Sequence, residues 1–228
     1  MQEFSYRGKQ MRIMSLLLTA LLAVTGTLAQ AQDSAGGTPY RVDSDASWIR
    51  VLAWPDGPLK RFGHHHVISH HSISGTVDVA PNPLDSSFQL EIAVADLQVD
   101  DPELRALEGE EFEGEVPQKD IDGTRTNMLS EPLLHGEQFP TIRVESAAIE
   151  GSLPDATIVV NVVVKGTEQT VSFPASIELT DDRFMVRGQR DIMHGEFGLS
   201  PFTAMGGALS VRDLLVFKYE ISGERIAD

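Results

Sequence analysis

Short stretches in which apolar and polar residues alternate run through most of this sequence, and they constrain its fold more than any other feature. A period of two places apolar side chains on one face of a β-strand and polar side chains on the other. In residues 171–179, for example, Phe173, Ala175 and Ile177 share one face. The segments that this pattern predicts as strands are 48–54, 67–79, 88–96, 142–149, 157–165, 171–179, 183–192 and 211–221.

Many short strands with one apolar face are typical of an all-β closed barrel or a sandwich. Closure into a barrel also removes the exposed strand edges through which sheets aggregate. Turn residues separate the segments, as at Pro81 to Pro83 and at Asp181 and Asp182. The length of 228 residues and the absence of an internal repeat favour one domain.

Residues 97–140 interrupt the strand pattern and are predicted to form an insert with one or two short helices. The first covers 102–108, with Asp100 or Asp101 as its N-cap. The second covers 124–134 and is interrupted or ended near Pro132. Between them, the acidic stretch 108–115 is expected to be a solvated loop.

The first 31 residues have the pattern of a secretory signal peptide. A basic lead that ends at Arg12 precedes the apolar run 13–24, and Ala29 to Ala31 form a small-x-small cleavage pattern. Cleavage near Ala31 would place the protein in the periplasm or outside the cell. The apolar run is short for a bilayer span, which makes a retained membrane anchor the weaker alternative.

The start of translation is open, because Met11 and Met1 both precede a compact signal. After the signal, residues 32–39 are expected to be a flexible leader, and residues 40–228 to be the folded domain.

The charge of the chain excludes one class of partner. It has 34 acidic and 18 basic residues, for a formal net charge of −16. Nucleic acid is not expected to bind, because phosphate contacts need a basic surface. The chain has no cysteine, which excludes disulfides, thiol catalysis and zinc–thiolate sites.

Several short segments, in their order and spacing, resemble the YceI-like family. They are 40–43 (YRVD), 47–51 (SWIRV), 127–135 (NMLSEPLLH), 138–146 (QFPTIRVES), 164–167 (VKGT), 171–174 (VSFP) and 195–199 (GEFGL). The segment 63–68 (GHHHVI) is similar to a subgroup of the family, and the acidic insert around 108–122 departs from its usual pattern.

The resemblance implies an extended, eight-stranded, antiparallel, lipocalin-like barrel whose interior takes up a polyisoprenoid chain. Such a ligand needs apolar area rather than specific polar contacts. The alternative is that the inward side chains meet and fill the core. The candidate lining residues are Val51, Ala53, Val77, Leu90, Ile92, Val144, Val160, Val162, Phe173, Val186, Arg190, Phe217 and Tyr219.

Arg190 is the one charged residue in that set. It shares a strand face with Phe184, Val186 and Ile192. An inward arginine at a barrel end is suited to an anionic headgroup or to the carboxylate of Glu196. The alternative is a bulge or strand end that turns it outward.

The histidines suggest a second function, since five of the seven lie between 64 and 71. Imidazole is a common ligand for zinc, copper and haem iron. His64 and His66 share a strand face, and His71 is expected to point inward with Ile73 while His70 points to solvent. Together, His64, His66 and His71 are the candidate metal ligands, with a buried core histidine or a surface loop as the alternative readings.

Catalysis has little support, because neither a Gly-x-Ser-x-Gly nor a His-Glu-x-x-His motif is present. Three hypotheses result: an exported, non-enzymatic carrier or store of an isoprenoid or quinone-like lipid, a metal- or haem-binding protein, and an interaction module with a filled barrel. The carrier hypothesis implies transient contact with a membrane donor or acceptor. A homodimer is a further possibility.

Overall fold

The computed structural model describes residues 36–227, so the predicted signal peptide and the start of the predicted leader lie outside the described residues. The strands are β1 (Thr38–Val42), β2 (Trp48–Ala53), β3 (Pro55–Asp56), β4 (His66–His71), β5 (Ser74–Val79), β6 (Ser87–Ala93), β7 (Gln98–Val99), β8 (Thr141–Gly151), β9 (Asp155–Val164), β10 (Thr167–Leu179), β11 (Arg183–Met193), β12 (Thr203–Ala204), β13 (Leu209–Val211) and β14 (Leu214–Arg225). The α-helices are α1 (Pro102–Ala106) and α2 (Gln118–Leu129). Single-turn 3-10 helices lie at Lys60–Phe62, Pro83–Asp85, Val94–Asp96, Glu110–Phe112, His194–Phe197 and Met205–Gly207.

Eight antiparallel strands close into a barrel, as the resemblance implied. Their order is β1, β5, β6, β8, β9, β10, β11 and β14, and β14 pairs back with β1. The closing ladder joins Tyr40 to Arg225 and Val42 to Gly223. The alternation on β9 shows how the sequence builds this wall. Its buried residues, from Ala156 to Val164, recur at every second position and face the interior.

At two places in the ring, the chain passes from one pairing partner to another along its length. β14 pairs with β2 near its start and with β1 near its end. In the same way β4 pairs with β2, whereas β5 pairs with β1. The single strand predicted over 67–79 is therefore wrong: the chain turns at Ser72, whose φ of 73° lies in the left-handed region.

A cap covers one end of the barrel. We use this name for residues 55–66 and 201–212, in which β12, β13 and β3 form a small separate sheet. The two segments are joined by the backbone N–H of Leu59, which donates to the carbonyl of Ala208 at 2.9 Å. The cap follows β2 and precedes β14, which defines the cap end of the barrel. The opposite end, where β11 begins at Arg183, is the far end.

The insert contains both predicted helices, but the acidic stretch between them is not a solvated loop. Glu108 is 1% exposed at its side chain and pairs with Arg50 at 3.0 Å and with Lys218. Phe112 is 2% exposed and packs on the outer face of the barrel against Leu52 and Val67. The prediction failed because these partners come from distant parts of the chain.

Element boundaries differ from the sequence predictions at several points. α2 begins at Gln118, six residues before the predicted start, and it ends at Leu129, ahead of Pro132. The predicted leader is wrong at its last two residues, because Thr38 and Pro39 pair with β5. The last predicted strand begins at Leu214 instead of 211.

Candidate ligand cavity

The interior of the barrel contains an apolar cavity of about 700 Å³. This volume is within the range of small-molecule sites. Most of its wall consists of inward side chains from the barrel strands. The predicted lining residues that line it are Val51, Ala53, Leu90, Ile92, Val144, Val160, Val162, Phe173, Phe217 and Tyr219.

The cavity does not reach the far end. Tyr40 and Phe184 fill that end with an edge-to-face pair whose ring centres are 5.9 Å apart. Both side chains are buried, and the Tyr40 hydroxyl donates to the carbonyl of Thr180 at 3.0 Å. Val77 and Val186, predicted as lining residues, pack against the buried core but do not line the cavity. The barrel is thus filled at one end and hollow towards the other.

Arg190 also lies outside the cavity lining, although it does face inward. Its guanidinium lies 5.2 Å from the ring centre of Phe173 and pairs with the carboxylate of Glu196. A second hydrogen bond from it reaches the carbonyl of Ser172 on β10. Because Glu196 already neutralises Arg190, the arginine connects parts of the barrel wall and is not available to bind a ligand.

Among the residues that the structure describes, Arg190 and Tyr219 bridge a gap in the wall. β10 and β11 pair over only a few residues near their hairpin, between Ser176 and Leu179 on β10. Beyond that point Tyr219 donates its hydroxyl to the carbonyl of Pro174 at 2.8 Å. Burial raises the pKa of Tyr219 to about 12, so this donor keeps its proton at physiological pH.

Polar side chains gather on one part of the cavity wall, beside α2. His64 contacts the carboxylate of Asp120 at 3.2 Å. His66 contacts the hydroxyl of Thr124 through Nε2 at 3.3 Å. All four side chains line the cavity. Most of the cavity lining is therefore apolar, and a group of polar side chains lies on one wall near the cap end.

A buried carboxylate orients His66. Asp100, 0% exposed at its side chain, accepts hydrogen bonds from His66 Nδ1 at 2.6 Å, Arg105 at 2.6 Å and the backbone N–H of Val67 at 2.8 Å. Burial alone raises the pKa of Asp100, but these hydrogen bonds and the nearby imidazole outweigh it and hold the pKa below its ordinary value. As Nδ1 of His66 donates to this carboxylate, Nε2 is left facing Thr124 and the cavity.

The structure separates the three candidate metal ligands. Ile49 and His70 are directly opposite each other and so share the inner face, whereas His71 is opposite Trp48 on the outer face. His70 is therefore the buried histidine and His71 is not, which reverses the prediction. The register was wrong because the turn at Ser72 breaks the alternation between His71 and Ile73.

His70 is a core residue. It is 0% exposed, and its Nε2 donates to the carbonyl of Ala93 at 3.1 Å. Burial lowers its pKa and so favours the neutral form. In the part of the chain that the structure describes, no group of three histidine, aspartate or glutamate side chains is placed to hold a metal ion. Of the predicted trio, only His64 and His66 come together.

The sequence missed the elements that close the hollow end. The helix residues Asp120, Thr124 and Asn127 line the cavity, as do Phe62 and Phe202 of the cap. Their spacing at every third or fourth position on α2 was the available signal. The cap has no alternating pattern, and nothing in its sequence shows that it folds over a barrel.

A closed antiparallel β-barrel around an apolar cavity, with a helix and a cap at one end, defines the class of barrels that enclose small ligands. The model of the YceI-like domain matches residues 40–221. The chain therefore belongs to the YceI-like family. No curated protein matches the sequence.

The solved structure of BcnA supports this fold. BcnA of Burkholderia cenocepacia superposes with a TM-score of 0.57 at 15% identity, over 79% of this chain and 98% of that one. A Campylobacter jejuni YCEI protein superposes with a TM-score of 0.49 at 10% identity, over 68% of this chain and 82% of the other. At these identities the likeness to BcnA shows the fold alone. Within residues 36–227, none of the helices has the length and apolarity needed to span a bilayer.

Proposed function

We propose that this protein is an exported, non-enzymatic carrier or store that holds a polyisoprenoid or isoprenoid-quinone-like lipid inside its barrel. The observation that carries the proposal is the apolar cavity of about 700 Å³ with a group of polar side chains beside α2. Each buried CH2 group of a ligand contributes about 0.8 kcal/mol. A lipid tail with several prenyl units would therefore bind well after the entropy cost of association is subtracted.

The polar wall gives the ligand a direction. A lipid whose tail occupies the apolar length can place a polar head beside His64, His66 and Thr124. The carboxylates of Asp100 and Asp120 are matched in number by two basic side chains, Arg105, which pairs with Asp100, and Lys119, which lines the cavity. The wall therefore has no excess positive charge for a strongly anionic head. The proposed cargo is therefore a lipid with an uncharged polar head, such as a quinone or an alcohol.

One feature of this wall also occurs in hydrolases. The order of Thr124 hydroxyl, His66 imidazole and Asp100 carboxylate is that of a catalytic triad. We assign it a positioning role, because the sequence has no nucleophile-elbow motif and the hydroxyl lies 3.3 Å from Nε2. Incubation with long-chain esters tests this assignment. Hydrolysis by the wild type that is lost in Thr124→Val would show that the protein is an enzyme and would contradict the carrier hypothesis.

The main test compares two substitutions on neighbouring positions of β9. Val162 lines the cavity, whereas Val163 lies on the outer face of the same strand. We expect Val162→Trp to abolish uptake of a polyprenyl alcohol or short-chain quinone, and Val163→Trp to bind like the wild type. Circular dichroism and thermal unfolding establish that both variants are folded, and Val162→Phe provides a milder plug.

Mass spectrometry of organic extracts identifies the cargo. Extracts of wild-type protein should contain an isoprenoid lipid that extracts of the Val162→Trp variant lack. Extracts that are empty from several hosts, together with equal ligand binding by both tryptophan variants, would contradict the proposal. N-terminal sequencing of protein recovered from the periplasm or medium tests export, with cleavage expected near Ala31.

A further inference from the structure

The cavity has one usable end. Tyr40 and Phe184 fill the far end, and the Tyr40 hydroxyl is tied to the carbonyls of Thr180 and Asp181. A lipid that entered there would have to displace two buried aromatic rings. At the other end the cavity wall includes residues of the cap and of α2, and the cap strands form a sheet of their own instead of pairing with the barrel strands. The cap end is therefore the route by which a ligand reaches the cavity.

Exposed apolar side chains concentrate at this same end. Six large apolar side chains are exposed in the part of the chain that the structure describes. Four of them lie at the cap end: Phe62 (64% exposed), Met193, Met205 (74% exposed) and Leu214. Phe62 and Met205 belong to the two cap segments, which are hydrogen bonded to each other, and Phe62 also lines the cavity. Exposed apolar residues grouped in this way indicate an interaction surface.

The charge of the cap is opposite to that of the whole molecule. The chain has a formal net charge of −16, yet the cap has three basic residues, Lys60, Arg61 and Arg212, against one acidic residue, Asp56. Just beyond the cap, the carboxylate of Asp213 accepts a hydrogen bond from the backbone N–H of His194. Lys60 and Arg61 immediately precede Phe62, and the Arg61 guanidinium lies 4.7 Å from its ring centre.

We propose that the cap is a membrane-docking surface, through which the protein meets an anionic phospholipid bilayer and exchanges its lipid. Basic residues beside exposed apolar side chains are suited to the interface of such a bilayer, where the rings and thioethers enter the headgroup region. Acidic residues also border the cap, among them Asp213 and Glu111, so the orientation is set by Lys60 and Arg61 beside the exposed Phe62. The acidic surface farther from the cap is repelled by the same bilayer. An apolar ligand then passes between bilayer and cavity along Phe62 without crossing water. The exchange of lipid rests on the proposed function, whereas the docking of the cap on a bilayer rests on the cap residues alone.

The absence of cysteine from the chain provides a direct test. Single substitutions Phe62→Cys and Met205→Cys are labelled with an environment-sensitive dye, and Leu153→Cys, in the β8–β9 turn at the far end, is the matched control. With vesicles of phosphatidylglycerol and phosphatidylcholine, we expect a blue shift at the two cap positions and none at position 153. The shifts at positions 62 and 205 are compared with the shift at position 153 in the same protein. Attachment to the vesicle through another part of the chain would not by itself produce a shift at the cap positions.

Charge reversal tests the electrostatic part. Lys60→Glu with Arg61→Glu should weaken the vesicle-dependent shift at position 205 about tenfold or more, whereas Arg183→Glu at the far end should leave it unchanged. Equal shifts at the cap and at position 153, or no shift at the cap, would overturn the proposal. A shift at the cap that depends on protein concentration without vesicles would also overturn it, in favour of a second copy of this chain.

Ligand transfer separates this inference from the proposed function. If lipid is taken up from detergent micelles but the cap labels stay in water with vesicles, the docking inference fails and the carrier stands. If the cap labels enter vesicles but neither vesicles nor micelles supply a bound lipid, the docking surface stands and the proposed cargo fails.

Discussion

Replacement of Asp100 by Asn removes one charge from a buried site that makes three hydrogen bonds. The carboxylate accepts hydrogen bonds from Arg105, His66 and the backbone of Val67. Arg105, 6% exposed, also donates to the carbonyl of His65. The network thus holds α1 and β7 to the start of β4, and it fixes the imidazole that faces the cavity.

The expected loss is large for a single substitution. Removing one partner of a buried ion pair leaves an uncompensated charge and costs about 3 to 5 kcal/mol. The asparagine oxygen can still accept from Val67, so we expect a loss of about 3 kcal/mol, near the lower limit of that range. This is a substantial part of the total stability of a domain, which is about 5 to 15 kcal/mol.

Urea unfolding followed at several pH values measures this loss. The folded pKa of Asp100 lies below its ordinary value of 3.8, so its contribution is complete above pH 3.8 and is lost as the pH falls through the folded pKa. The difference in unfolding free energy between wild type and Asp100→Asn should therefore be largest near neutral pH. It should shrink progressively below pH 3.8.

The matched control is Asp120→Asn, which affects the partly exposed pair with His64. An exposed pair contributes less than about 1 kcal/mol, so this variant should unfold almost like the wild type. A loss below about 1 kcal/mol for Asp100→Asn at neutral pH, or a loss that does not change in acid, would refute the reasoning.

Three further substitutions test the packing and the wall. Phe112→Ala removes a ring that packs edge-to-face on Trp54 and should cost about 3 kcal/mol in urea unfolding; a loss near zero would mean that the insert does not pack on the barrel. Tyr219→Phe deletes the hydroxyl that donates to Pro174 and should cost about 1 kcal/mol. Wild type should also lose stability as the pH rises from 10.0 to about 12, since burial raises the pKa of Tyr219, and the phenylalanine variant should lack that share of the alkaline loss. Gly188→Ala places a Cβ against the Pro174 carbonyl and the Tyr219 ring, so thermal unfolding should show a loss of about 2 kcal/mol, and an unchanged midpoint would contradict this contact.

The sequence predicted the barrel strands and most of the cavity wall because apolar and polar residues alternate along a half-buried strand. Val160 and Val162 on β9 and Leu90 and Ile92 on β6 were assigned inward on this basis, and they line the cavity. The alternation also predicted about eight strands, whereas their antiparallel pairing into a closed ring came from the family resemblance. Alternation alone is equally typical of a sandwich.

What the sequence did not predict depends on contacts between distant residues. Glu108 is buried because Arg50 and Lys218, 58 and 110 residues away along the chain, neutralise it. The exchange of roles between His70 and His71 follows from one left-handed residue, Ser72, which no residue pattern marks. The cap and the filled far end likewise depend on which loops meet, and local periodicity holds no information about that.

The position of β14 determines when this protein can finish folding. It pairs with β11, β2 and β1, and so joins Tyr40 to Arg225 across almost the whole domain. Before residues 214–225 are in place, the sheet is an open ribbon with two unpaired edges. Contacts this far apart in sequence form slowly, because a long loop must close before any of them contributes. A nascent chain therefore stays unclosed and accessible to chaperones for most of its synthesis, and a lipid present at the moment of closure would be enclosed without having to pass the cap.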